Sequence, residues 1–240
     1  MSTASRADVP PLQGVVRAVC SGRVATLVHG RRSVETAFVK QPLAGPVEIG
    51  PLGIASDEHV YDDHGGPDMA LLAYPSEHYS HWRSLGLELP DGGALGENLT
   101  TAGLVETEVH LGDVFRTGTC TLEVCQPRTP CYKLAARFGR KDMPVLVQDT
   151  GYTGYLLRVL EPGHITAGDQ LVLLDRQRHG VTVAEASRIV SVDRNDVDGA
   201  RRVLAVSALG SSVRRKLEQR LAAGEQLGLD TDRLFLPDDN

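Results

Sequence analysis

A cysteine stands at residue 131 in the run Gln126-Pro127-Arg128-Thr129-Pro130-Cys131-Tyr132-Lys133. Its surroundings favour a reactive sulfur. The two prolines deny the stretch a regular helix and fix two φ angles. The residues after Cys131 suit a helix start, and helix N-termini and neighbouring cations favour thiolate over thiol. Arg128 and Lys133 supply two such cations. The sulfur is then a nucleophile or a metal ligand; a small buried hydrophobe at a turn fits the same letters.

Other chemistry-bearing residues fall into three groups. His64 with Asp57, Asp62 and Asp63 offers the nitrogen and oxygen donors that zinc accepts. Their spacing follows no zinc pattern, so the expectation is a glycine-rich turn where a ligand approaches the backbone at Gly65 and His64 lends a hydrogen bond. Lys40, before a proline turn, joins Asn98, Thr100, Arg128 and Lys133 as parts of an anion site. Glu97 reads as a general acid or a turn carboxylate. Cys20 and Cys120 read as core, Cys125 as buried, and His78 and His81 as surface or packing residues. No GxGxxG or Walker loop is present.

The elements that must position these residues are mostly short strands. Strand-like runs lie at 15–19, 24–28, 33–39, 46–49, 69–73, 121–125, 154–160 and 170–174, with 109–118 read as a hairpin leading into 121–125. Pro75 begins a predicted helix carrying Trp82 and Leu85, and residues 135–138 and 144–148 read as helical. Beyond Gly180 the pattern changes to three helices. Thr182 and Glu185 form a capping box ahead of the first, 196–206 make the second, and Ser211 or Ser212 caps the third, 213–223. The basic run Arg214-Arg215-Lys216 reads as a solvated face. The expected organisation is a frayed 1–12, a β-barrel-like domain over 13–178 and a three-helix appendage over 179–240.

Composition bounds the function. The chain has 240 residues, 41% of them hydrophobic, and a net charge of -6. That balance argues against a nucleic-acid surface. No apolar run is long enough for a membrane span and the start lacks a signal-peptide pattern, so the expected location is the cytoplasm. Four cysteines without CxxC spacing argue against a zinc ribbon.

Four blocks in order carry a resemblance: Lys40-Gln41-Pro42; His64-Gly65-Gly66 to Tyr79 and Trp82; Gly96-Glu97-Asn98-Leu99-Thr100 with Gly103-Leu104; and Gln126 to Leu134. From about Gly14 to Leu174 the chain resembles the MOSC-domain family, named for the C-terminal domain of molybdenum cofactor sulfurases, and in particular its YiiM-like branch. The tail resembles the short helical domain of that branch. The resemblance implies a mainly β (α+β) fold, a MOSC-type barrel with flanking helices, that binds molybdenum cofactor (molybdopterin). It implies Cys131 as the ligand to molybdenum, a soft donor such a metal selects, and Lys40 near the cofactor phosphate. Arg128, Asn98 and Thr100 become candidates for phosphate or pterin, and Gly65 and Lys133 join the binding set.

Relatives reduce N-hydroxylated compounds, including hydroxylaminopurine analogues; at family level alone the resemblance also carries pyridoxal phosphate binding. The implied reaction is two-electron N–O reduction, with His64, Asp63, Glu97 or Tyr132 as proton donor. No flavin or ferredoxin-type pattern is present, so an external electron-donor reductase, a flavin or iron–sulfur protein, is implied. A cofactor carrier or sulfur-transfer module without turnover is the alternative. The tail is left to receive the donor, form a homodimer or cover the barrel. One departure stands out: Ala55-Ser56-Asp57 lacks the glycine common before this aspartate, which leaves open the part Asp57 plays.

Overall fold

The structure, a computed structural model, describes residues 12–29, 32–60, 65–224 and 230–235. The described strands are β1 (Gln13–Gly22), β2 (Ala25–His29), β3 (Arg32–Thr36), β4 (Lys40–Pro42), β5 (Val47–Ile49), β6 (Leu71–Pro75), β7 (Leu99–Ala102), β8 (Val114–Thr117), β9 (Cys120–Pro127), β10 (Tyr155–Glu161), β11 (Gly163–Ile165) and β12 (Gln170–Asp175). The described helices are α1 (Tyr79–Ser84), α2 (Lys133–Phe138), α3 (Met143–Thr150), α4 (Val183–Ser191), α5 (Val197–Leu204), α6 (Ser211–Ala223) and α7 (Thr231–Leu234).

Seven strands close into a barrel in the order β12-β8-β9-β10-β6-β7-β1, with β1 returning to β12. Closure removes the unpaired edges that an open sheet would expose. The long first strand makes this possible. Its start pairs with β12, its middle with β7 and its end with β4. A register shift between Val16 and Ala18 lets it bend from one partner to the next. Within the ring the pairs are antiparallel except β6 and β7, which run parallel through Ala73 and Leu99. The expected mainly β barrel with flanking helices is thus the observed architecture.

One continuous core joins the barrel to the C-terminal helices. Val16, Leu71, Phe115, Leu122 and Leu157 from the strands share a cluster with Ile189, Val203 and Leu217 from α4, α5 and α6. The helices therefore cover apolar barrel surface, the thermodynamic reason for a tail too short to bury a core alone. A second cluster, around Trp82, Tyr74, Leu134 and Met143, packs α1 against α2 and α3.

Two of the three tail helices begin as sequence chemistry predicts. Thr182 accepts the Glu185 amide at 3.0 Å and Asp196 accepts the Gly199 amide at 2.7 Å, as N-caps should. The third helix is different. Ser211 and Ser212 already lie inside it, Gly210 is its N-cap and no local side chain caps it. Asp68, from the barrel, accepts the Ser211 amide at 2.7 Å, while Ser212 donates to Gln126 at 3.0 Å and the Gly210 amide to the Cys125 carbonyl at 3.0 Å. A tertiary cap has replaced the local one.

Several strand assignments also differ. Residues 109–113 form a turn with one bridge, His110 to Thr182, in place of a strand. The block expected as a turn at 96–100 continues into β7, and β11 was not foreseen. Both strands are short, and their pairing, with β1 and β6 and with β5, comes from distant residues that local pattern does not register.

Candidate functional site

Beside the barrel lies a cavity of about 500 Å³ whose wall includes Cys131. The cysteine loop leaves β9 at Pro127, is tied where the Arg128 amide donates to the Gly154 carbonyl at 3.1 Å, and turns into α2 through a bond from the Leu134 amide to the Cys131 carbonyl at 3.0 Å. Gly154 suits that post. Its φ is +72°, and a Cβ there would stand 2.5 Å from the Ala73 carbonyl. Cys131 is partly exposed, while the other three cysteines are buried. Burial pushes the thiols of Cys20 and Cys125 up to about 12 and that of Cys120 to about 11. Those three are inert sulfurs at neutral pH. The reading of Cys20 and Cys120 as core therefore stands, as does that of Cys125 as buried.

Cations converge on the same cavity. Lys40, Arg128 and Lys133 line it, and so do Lys216 of α6 and Arg233 of α7. Apolar wall comes from Phe38, Leu72, Leu95 and Val213. Gly96, with φ +84°, lets the Phe38 ring lie where a Cβ would be 3.0 Å away. The Arg128 guanidinium sits over that ring at 5.8 Å. Its Nη1 is buried without a hydrogen-bond partner. A buried guanidinium N–H left unmade costs about 1–3 kcal/mol. An acceptor entering the cavity would offset that cost.

Lys40 is differently placed. Its Nζ pairs with Asp57 at 2.5 and 2.6 Å, with both side chains under a tenth exposed. The same carboxylate accepts the Gly22 amide at 2.7 Å and Asn98 Nδ2 at 2.8 Å. Asn98 in turn accepts the Leu72 amide on Oδ1 at 3.0 Å, and its carbonyl accepts the Cys20 amide at 2.7 Å. It stitches β1 to β6 at the cavity rim. Asp57 thus lines the cavity as the partner of Lys40. The serine before it causes no strain, because no described residue other than glycine has positive φ.

Two expected site residues lie behind the wall. Glu97 is fully buried and accepts from Tyr79, from Thr100 at 2.8 Å and from the Leu95 amide at 2.8 Å. Thr100 is equally buried and also accepts the Gly93 amide at 3.1 Å. Neither contributes to the cavity lining. They shape the turn that places Gly96 and Asn98. Gly65 is half-buried beside the His59 ring, and His59 lines the cavity. Asp63 and His64 fall outside the described residues, as does Asp62. Among the described residues no three His, Cys, Asp or Glu side chains group as a metal-ligand set. His78 is a packing residue, as expected: it is bonded to Glu106 at 2.6 Å and stacked on Tyr152 at 3.8 Å.

Residues 60–172 match the MOSC domain family and residues 181–224 match the YiiM-like, 3-alpha helix domain. Over 214 residues the chain is 37% identical to Protein YiiM of Escherichia coli (strain K12), across 86% of this chain and 92% of that one. The chain belongs to the MOSC family, in its YiiM-like branch. It is also 41% identical over 194 residues to the protein YflK of Bacillus subtilis (strain 168), covering 80% of this chain and 88% of that one. A fungal protein named "Reductase", from Gibberella moniliformis (strain M3125 / FGSC 7600), is 35% identical over 194 residues; the match spans 78% of this chain and 34% of that protein. The crystal structure of YiiM from Geobacillus stearothermophilus superposes with a TM-score of 0.74 at 33% identity, covering 87% of this chain and 99% of that one.

In this MOSC protein the cationic wall is shared between barrel and tail. Lys216 and Arg233 were not anticipated as site residues. Lys216 belongs to a basic run expected to be solvated, yet its Nζ is held by Asp230 at 3.0 Å on the cavity side. Arg233 sits in a four-residue helix whose pattern is too short to read. The usable clue was Leu234, a leucine in a polar tail, which proves fully buried.

Proposed function

We propose that this protein is a molybdenum-cofactor-dependent reductase of N-hydroxylated compounds, with Cys131 as the protein's ligand to the metal. The observation that carries the reading is a partly exposed cysteine on the wall of a cavity that also gathers Arg128, Lys133, Lys216 and Arg233. The residues present fit the group. Cysteine is a soft donor, the cations suit a phosphate, and Phe38, Leu72 and Leu95 offer apolar surface to a pterin ring. The unpartnered Nη1 of Arg128 is a donor awaiting an acceptor. The relative named "Reductase" supports an oxidoreductase. When bound, the cofactor supplies the two electrons and the metal centre at which the N–O bond breaks.

The chain supplies binding, orientation and protons. The overall change is R–NHOH + 2e⁻ + 2H⁺ → R–NH₂ + H₂O. Lys40 is held by Asp57, itself fixed by Asn98, so its ammonium is set before any ligand arrives. Apolar side chains opposite the cations limit water in the cavity and strengthen the charge interactions there. Tyr132 and His59 line the cavity with protic groups that can pass a proton to the nitrogen. Electrons enter from a separate donor protein, flavin or iron–sulfur in type.

The test is direct. Protein purified from a host that makes molybdenum cofactor should contain molybdenum near one atom per chain and reduce hydroxylaminopurine with an artificial electron donor. Cys131→Ser should lose both. Molybdenum without turnover would favour a carrier, and full loading of Cys131→Ser would refute the ligand assignment.

A further inference from the structure

Arg233 holds the chain on both sides of Cys131. Its guanidinium donates through Nη1 to the carbonyl of Pro130, and its own carbonyl accepts the amide of Tyr132 at 2.9 Å. One residue, 102 positions downstream of the cysteine, thus brackets it. We propose that Arg233 is a positioning residue for the Cys131 sulfur, and that α7 belongs to the functional site as the brace of the cysteine loop. The inference deepens the reading of Cys131 as the working sulfur and rests on it.

The brace is itself braced. Arg233 Nη2 donates to Gln148 of α3 at 2.7 Å, and Nε to Asp230 at 3.2 Å. Asp230 also receives Lys216 of α6 at 3.0 Å. Leu234, the next residue, is fully buried. The guanidinium fork therefore joins the loop, α3 and the Asp230–Lys216 pair in one planar group, which a lysine's single ammonium cannot reproduce. Prolines stiffen the loop before the cysteine, but Pro130 has no amide to donate. Its carbonyl bond to Arg233 is the restraint it can offer. A displacement of about 1 Å at a reacting group can cost on the order of 100-fold in rate, so such a brace has a functional consequence.

The experiment uses the full chain, without cofactor, and a bulky maleimide. Cys20, Cys120 and Cys125 are buried, so the fast-reacting thiol is Cys131. Arg233→Ala should raise its labelling rate by about tenfold, as expected for a loop released from a local restraint. Arg233→Lys, keeping one donor toward Pro130, should recover part of the restraint. Leu234→Ala removes the anchor of α7 while leaving the guanidinium, and should act in the same direction; it decides the matter if Arg233→Ala does not fold. In the loaded enzyme Arg233→Ala should lower kcat by about 10- to 100-fold with KM within about twofold. Parental labelling rates in folded Arg233→Ala and Leu234→Ala would overturn the proposal while leaving the ligand assignment intact. Conversely, loading of Cys131→Ser would remove the ligand role yet leave the labelling result to judge the brace.

Discussion

Asp68 and Ser211 lie 143 residues apart in sequence, and the carboxylate of the first accepts the amide of the second at 2.7 Å. The barrel thereby caps the helix that carries Lys216. Arg158 holds the same carboxylate through two bonds, at 2.6 and 2.9 Å, and donates to Glu123 at 2.5 Å. Replacing Asp68 by Ala should cost about 1–2 kcal/mol, the usual scale for a lost N-cap. Urea unfolding measures it. The loss should fall on the joint between barrel and helices, so exchange protection in α6 should decrease more than in β9.

Acid should loosen the same joint. Burial pushes the Asp68 carboxyl up, but the Ser211 amide and Arg158 more than offset this and hold it below the usual carboxylate value. Asp230, also pushed up by burial, is held down by Lys216 and Arg233. A carboxylate depressed in the folded state stabilises the fold above its unfolded pKa, about 3.9. That contribution fades as pH falls through the lower folded value. Melting temperature should therefore drop below about pH 4, and the Asp68→Asn, Asp230→Asn double variant should show a shallower decline.

The Lys40–Asp57 pair predicts an asymmetric pair of variants. Lys40→Met strips the buried carboxylate of its counter-ion and should destabilise the protein by about 3 kcal/mol or more. Adding Asp57→Leu to it should restore much of the loss, since two apolar groups leave no unpaired charge. Chemical denaturation of the single and double variants forms the cycle that checks this.

Arg128 should behave in the opposite way. Arg128→Met removes a buried guanidinium that lacks a partner at Nη1, so stability should stay within about 1 kcal/mol of the parent or rise. Molybdenum content should nevertheless collapse. Tm and metal analysis on the same preparation separate a binding residue from a structural one.

The residues that proved legible are those whose local chemistry matches their tertiary role. The N-cap at Thr182 forms as read, accepting the Glu185 amide, while the Glu185 carboxylate accepts from Arg202 in place of closing the box. Lys40, Asn98 and the trio Arg128, Cys131 and Lys133 meet at one cavity although they come from three separate blocks. The residues that escaped share one physical cause. Lys216 and Arg233 are charged side chains in a tail, and nothing within a few positions shows that Asp230 and the Pro130 carbonyl await them. Glu97 and Thr100 illustrate the converse. Their types suit catalysis, but the Tyr79 and Thr100 hydroxyls and the Leu95 amide converge on the Glu97 carboxylate, and the pair is spent on holding the turn.

The ring of strands ends where it begins, with Gln13, Gly14 and Val15 lying against Val172, Leu171 and Gln170. A protease cut that released the first strand would do more than shorten the chain. It would bare the flanks of both β12 and β7 at once, giving neighbouring molecules two sticky borders to zip onto. Loss of solubility, ahead of any loss of helix signal, is the expected fate of such a nicked protein.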